Sequence, residues 1–76
     1  MATISMPHRY LVRWEEAGLQ ADYDVESLSD GIVLYATDPK VTGEGAVPEG
    51  TADTVEAWLR ATFSHVVVDR SAKPAF

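Results

Sequence analysis

The sequence predicts a small α+β domain: a mostly antiparallel four-stranded sheet in the order βββαβ, with one helix packed on one face. Three observations carry this. Apolar and polar residues alternate through residues 8–16 and 21–28, the period of a strand with one buried face. Asp30-Gly31 then interrupts the chain before a second apolar run. Finally, Val55, Trp58, Leu59, Thr62 and Phe63 recur at helical spacing ahead of Val66-Val67-Val68.

Seventy-six residues make a single domain, spanning 1–76, near the lower end of what folds alone. The chain has no cysteine, which excludes a disulfide framework, a thiolate metal site and a cysteine nucleophile. That composition fits a reducing, cytoplasmic setting. No apolar run approaches the roughly 20 residues of a membrane span, and the first residues lack the features of a secretory signal.

The net charge is −6, and its distribution is uneven. Residues 15–56 hold eleven carboxylates against one base, Lys40, a local charge of −10. Direct binding to nucleic-acid phosphates needs a basic patch, so that function is disfavoured. An acidic surface suits a protein partner with a basic face. The competing explanation is that the acids only keep a small protein in solution.

Residues 1–7 read as a loose leader. Residues 8–16 follow as a strand with Tyr10, Val12 and Trp14 on one face and Arg9, Leu11 and Arg13 on the other. Ala17-Gly18 marks the turn into residues 21–28, where Tyr23 and Val25 look inward and Asp22, Asp24 and Glu26 form an acidic outer stripe. The register that sets Arg13 against Asp22, Arg9 against Glu26, Val12 against Tyr23 and Tyr10 against Val25 matches charge with charge and apolar with apolar. A slip by one residue would destroy every pair. Asp30-Gly31 supplies a two-residue type I′ loop, pairing Leu28 with Val33 and Glu26 with Tyr35. Residues 32–37 are apolar on both faces, as in a strand covered on both sides. Residues 38–50 hold three of the five glycines and read as an irregular connection.

The helix spans residues 51–64, capped by Thr51 or, one turn-fraction later, by Asp53 with Glu56 three residues on. Its apolar stripe should bury against Tyr10, Val12, Trp14, Tyr23, Val25, Ile32 and Leu34. Val66-Val67-Val68 makes the fourth strand, parallel to the third and lying beside either the first or the third. Residues 71–76 form an irregular tail.

Candidate chemistry is sparse. Asp22, Asp24, Glu26 and Asp30-Gly31 approximate a calcium loop, but Ser27 stands where such a loop requires glycine, and alternating strand carboxylates diverge. Gly43-Glu44-Gly45 lacks the lysine and hydroxyl residue of a phosphate loop. His8 and His65 have no ligand-spaced partner. The sequence therefore predicts no catalytic, metal or cofactor site, and a protein that is not an enzyme. What remains is an outer face where Leu11, Leu28, Val33 and Tyr35 sit amid Asp22, Asp24 and Glu26, an apolar centre with a charged rim that suits a protein partner. Rival arrangements are a homodimer through that patch, or a small-ligand site near Tyr35, His65 and the 38–50 loop.

The two-hairpin meander over residues 9–37, followed by the acidic helix start Thr51-Ala-Asp-Thr-Val-Glu-Ala-Trp-Leu, resembles the small acidic inhibitors encoded by phages, above all anti-CRISPR proteins. The resemblance implies docking onto a CRISPR surveillance complex or nuclease, by occupying a basic nucleic-acid groove or blocking a subunit.

Overall fold

A computed structural model describes residues 2–70. The chain runs β1 (Thr3–His8), β2 (Leu11–Glu16), β3 (Leu19–Ser27), β4 (Ile32–Tyr35), β5 (Lys40–Thr42), α1 (Thr51–Thr62) and β6 (Val66–Asp69). The architecture is α+β, with one helix and a mostly antiparallel sheet. Among the described residues the sheet has six strands rather than the expected four, in the order β1-β2-β3-β4-β6 with β5 paired to β3.

Two strands lie where the sequence reads as irregular. β1 occupies the expected leader, and its Ile4 and Met6 are half-buried against the core. With two apolar residues and Pro7 in six positions, its alternation is too short to stand out. β5 lies within the expected 38–50 connection, where Lys40, Val41 and Thr42 pair with Asp22, Ala21 and Gln20. All three β5 residues are exposed, so no burial pattern marks them.

The leading hairpin changes the fate of Arg9 and Tyr10. His8 pairs with Leu11, so these two residues form the β1–β2 turn instead of extending β2. Tyr10 is therefore 55% exposed rather than inside, although its carbonyl still accepts the Val25 N–H at 3.1 Å. Arg9 does not face Glu26: its guanidinium lies 5.3 Å from the Tyr10 ring centroid, within cation–π range.

The β2–β3 register is the expected one, with Leu11 against Asp24, Val12 against Tyr23 and Arg13 against Asp22. Ala17 and Gly18 both take positive φ (50° and 82°), the requirement of a two-residue type I′ turn. The β3–β4 register differs from expectation by two residues. Val25 pairs with Leu34, Glu26 with Val33 and Ser27 with Ile32. Neither Asp30 nor Gly31 has positive φ, so the type I′ loop does not form. Residues 28–31 make a wider connection in which the Leu28 N–H donates to the Gly31 carbonyl at 2.8 Å. A two-residue shift preserves side-chain parity, which is why the buried and open faces are still those the alternation predicts.

Gly31 is required for space. A Cβ there would lie 2.8 Å from the carbonyl carbon and Cβ of His65, and closer still to its oxygen. The turn thereby lets β6 approach β4. The two are parallel, Ile32 through Tyr35 against Val66 through Asp69. The Ile32 and Ala36 N–H groups donate to His65 and Asp69 at 3.0 and 2.9 Å. β6 thus lies beside β4, one of the two positions left open by the sequence.

α1 starts after Gly50, which takes φ 83° and supplies no side-chain cap. Thr51 does not cap: its hydroxyl donates to the Pro48 carbonyl at 2.7 Å. Asp53 and Glu56 do not form a capping box; both accept from Arg70, at 2.8 and 3.3 Å, tying the first helical turns to the end of β6. The helix lays Val55 and Leu59 onto Val12, Trp14, Ala21, Tyr23, Val25, Ile32, Leu34 and Val66, which form the core with it. Trp58 and Phe63 pack at its margin, partly buried. The expected tail, residues 71–76, lies outside the described residues.

Candidate protein-interaction site

Because α1 covers only the inner face, the opposite face of the sheet carries the predicted site residues. Strand pairing arranges them in rows. The first row is Ser5, Arg13, Asp22 and Lys40. Next come Leu11 with Asp24, then Glu26 with Val33 and Val67, and last Tyr35 with Asp69. Charge divides along the face. The first row places Arg13 and Lys40 on either side of Asp22, whereas the remaining rows hold Asp24, Glu26 and Asp69, with His8 opposite Leu11 and no lysine or arginine.

Asp22 is the site residue the structure places elsewhere in role. It is only 8% exposed. Arg13 grips it through Nε at 2.9 Å and Nη2 at 3.3 Å, and the Gln20 amide donates at 3.2 Å. The fork geometry of guanidinium on carboxylate holds β2 to β3 at this register. The hydrogen bond with Asp22 is the main cause that raises the Arg13 pKa above its ordinary value, against an opposing effect of burial. Asp22 is thus a buried acceptor, not a surface contact.

Asp24 and Glu26 are exposed, and so is Leu28, at 39%. Leu11, Val33 and Tyr35 are half-buried. The Tyr35 hydroxyl donates to Glu26 Oε2 at 2.7 Å, a bond between neighbouring strands that fixes both side chains. That bond is the leading cause raising the Tyr35 phenol above its ordinary value, with burial and the charges of Glu26 and Asp69 adding to it. The rotamers of an acid and an aromatic are thereby set before any partner arrives, which lowers the ordering cost of binding.

One exposed residue of this face, Val67, is missed by the sequence reading, and Tyr10 is exposed where the sequence puts it inside. Val67, 41% exposed, extends the apolar centre through its pairing with Val33. Tyr10 stands at the β1–β2 tip next to Leu11, with His8 against its edge at 6.3 Å between ring centroids. The valine run signals Val67, but only the position of β6 puts it on this face. Tyr10 is concealed by its parity with Val12 and Trp14.

Part of the expected small-ligand location, the 38–50 loop, borders a concave stretch of surface. A groove of about 390 Å³ runs between the β2–β3 turn and residues 44–48, lined by Trp14, Glu16, Leu19, Glu44 and Pro48 among others. Neither Tyr35 nor His65 lines it. Among the described residues no group of three or more His, Cys, Asp or Glu is placed to hold a metal ion, and no helix is long and apolar enough to cross a membrane. Set against protein-family models, curated proteins and solved structures, the chain matches none of them.

Proposed function

We propose that the chain is a small acidic protein-interaction module, an inhibitor of the anti-CRISPR kind that docks on a nucleic-acid-binding partner through the open face of its sheet. One observation carries this reading: Leu11, Val33, Tyr35 and Val67 form an apolar strip, with exposed Leu28 just past the end of β3, and among the described residues the rows of that strip hold the carboxylates Asp24, Glu26 and Asp69 and no lysine or arginine. An apolar centre supplies desolvated contact area, while a mostly acidic rim, with Arg9 only at the β1–β2 turn, speeds encounter with a basic surface and disfavours acidic ones. Tyr35, its hydroxyl anchored on Glu26, is the central aromatic contact. Asp22 acts from beneath, by holding Arg13 away from the acidic rows.

The test is functional and then local. Expression of the chain in a host with active CRISPR immunity should restore plating of a targeted phage, and the immobilised chain should capture the effector in a salt-dependent manner. Asp24→Lys with Glu26→Lys should abolish both effects, while the variant remains folded by circular dichroism. Unrestored plating rules out the inhibitor reading; capture that survives the double reversal rules out this face.

A further inference from the structure

The sheet has three strand edges open to a partner among the described residues, and they are not equivalent. β1 is guarded by Pro7, which has no N–H to offer, and by an irregularity between Ser5 and His8. β5 is three residues long and begins with Lys40, a short charged edge of the kind that resists pairing. β6 has neither device. Its core is Val66-Val67-Val68, β-branched residues with high strand preference.

We infer that β6 pairs antiparallel with β6 of a second copy of this chain, joining two sheets into one across a two-fold axis at Val67. The hydrogen-bond parity sets the register. His65 and Asp69 turn their carbonyls to β4, accepting from Ile32 and Ala36. In a parallel ladder of this phase Val67 also faces β4, and Val66 and Val68 send their N–H and C=O groups to the open edge. Centring on Val67 sets Val66 opposite Val68 of the second copy, and Val68 opposite its Val66. Each pair exchanges two N–H···O bonds, so every outward donor and acceptor of the valine run is satisfied.

The same register is favoured by side chains. His65, Val67 and Asp69 share the open face of the sheet. The imidazole of His65 falls opposite the Asp69 carboxylate of the second copy, and this pairing occurs twice. Centring instead on Val68 would set Asp69 against Val67, an acid against an apolar side chain. At the axis the two exposed Val67 side chains meet, so the strip formed by Val33 and Val67 continues from one copy into the next. The helices lie on the opposite face and do not stand in the plane of the new strand pair. This arrangement does not depend on the proposed inhibitor function, since it uses the edge of β6 and leaves Leu11, Asp24, Glu26 and Tyr35 uncovered.

The experiment is sedimentation of the full chain at about 200 µM, where micromolar association is complete enough to read. The expected mass is twice the chain's 8.3 kDa. Val67→Lys sets two ammonium groups face to face at the axis and should return the protein to a monomer with an unchanged circular dichroism spectrum. Since the chain contains no cysteine, Val67→Cys introduces a single thiol. Non-hydrogen-bonded antiparallel neighbours are about 4.5 Å apart at Cα, within disulfide reach, so this variant should cross-link on air oxidation while Leu28→Cys does not. A wild-type monomer at that concentration overturns the proposal. So does a dimer that persists in Val67→Lys, or one that cross-links equally at residue 28.

Discussion

Replacing Gly31 by alanine adds one methyl group at the point where the β3–β4 connection crosses the start of β6. The new Cβ would lie 2.8 Å from the His65 carbonyl carbon, about 1 Å inside ordinary carbon–carbon contact. The obstacle is backbone on both sides, so the strands themselves must separate. Overpacking of this kind costs about 1–3 kcal/mol. The displacement also strains the Ile32 N–H bond to His65 at 3.0 Å, with a further loss of about 1 kcal/mol. The expected destabilisation is therefore about 2–4 kcal/mol, out of a total of about 4–11 kcal/mol for a domain of this length. Urea titration followed by tryptophan fluorescence reads it directly: with a slope of about 1 kcal/mol/M, the midpoint should fall by about 2–4 M. Gly18→Ala provides the contrast, because that position has φ +82° and no atom within 4 Å. Its cost is backbone strain alone, about 1–2 kcal/mol. A Gly31→Ala midpoint within about 0.5 M of wild type, or a milder effect than Gly18→Ala, would refute the close-approach argument.

Ala17 occupies φ 50° in the β2–β3 turn; Ala17→Asn should stabilise by about 0.5–1 kcal/mol, seen as a raised melting temperature. Leu59 is fully buried between helix and sheet, and Leu59→Ala should cost about 2–5 kcal/mol in chemical denaturation. The phenols of Tyr23 and Tyr35 are both held above the ordinary value of 10.0, Tyr23 by burial and Tyr35 chiefly by its bond to Glu26. Their folded values exceed the unfolded one, so their contribution to stability is complete below pH 10 and is lost as pH rises through the folded values. Absorbance titration should show delayed phenolate formation, and Glu26→Gln should bring one of the two delayed steps down while leaving the other in place.

Much of this fold is legible in the chain because the strongest signals are local. The alternation from Leu11 to Val25, the Ala17-Gly18 turn and the Val55–Leu59 pairing each follow from periods that any isolated segment carries. The misreadings share a cause: each depended on a distant partner. Ile4 and Met6 look like a leader until β2 offers a neighbouring strand. Gly31 looks like a type I′ glycine until His65 arrives from thirty-odd residues away. Thr51 looks like a cap until Pro48 claims its hydroxyl. For the site, parity sufficed to gather Leu11, Asp24, Glu26, Val33 and Tyr35 on one face. It could not show that Asp22 sinks beneath Arg13, or that Val67 joins them, because burial and strand order are properties of the assembled sheet.

β4 has a local neighbour on one side and a remote one on the other, and this has a consequence for the order in which the chain folds. The β1–β2–β3–β4 meander closes through loops of two to four residues, which form on a microsecond scale. β6 reaches β4 only after the long excursion through β5 and α1, so its loop-closure entropy is met before its contacts form. Until then Leu34 and Ile32 have bare backbone on one side, and the helix has only part of the floor on which it rests. A parallel strand from far along the chain thus converts a local ribbon into a closed core, and Arg70, just past β6, adds contacts to Asp53 and Glu56 across that junction.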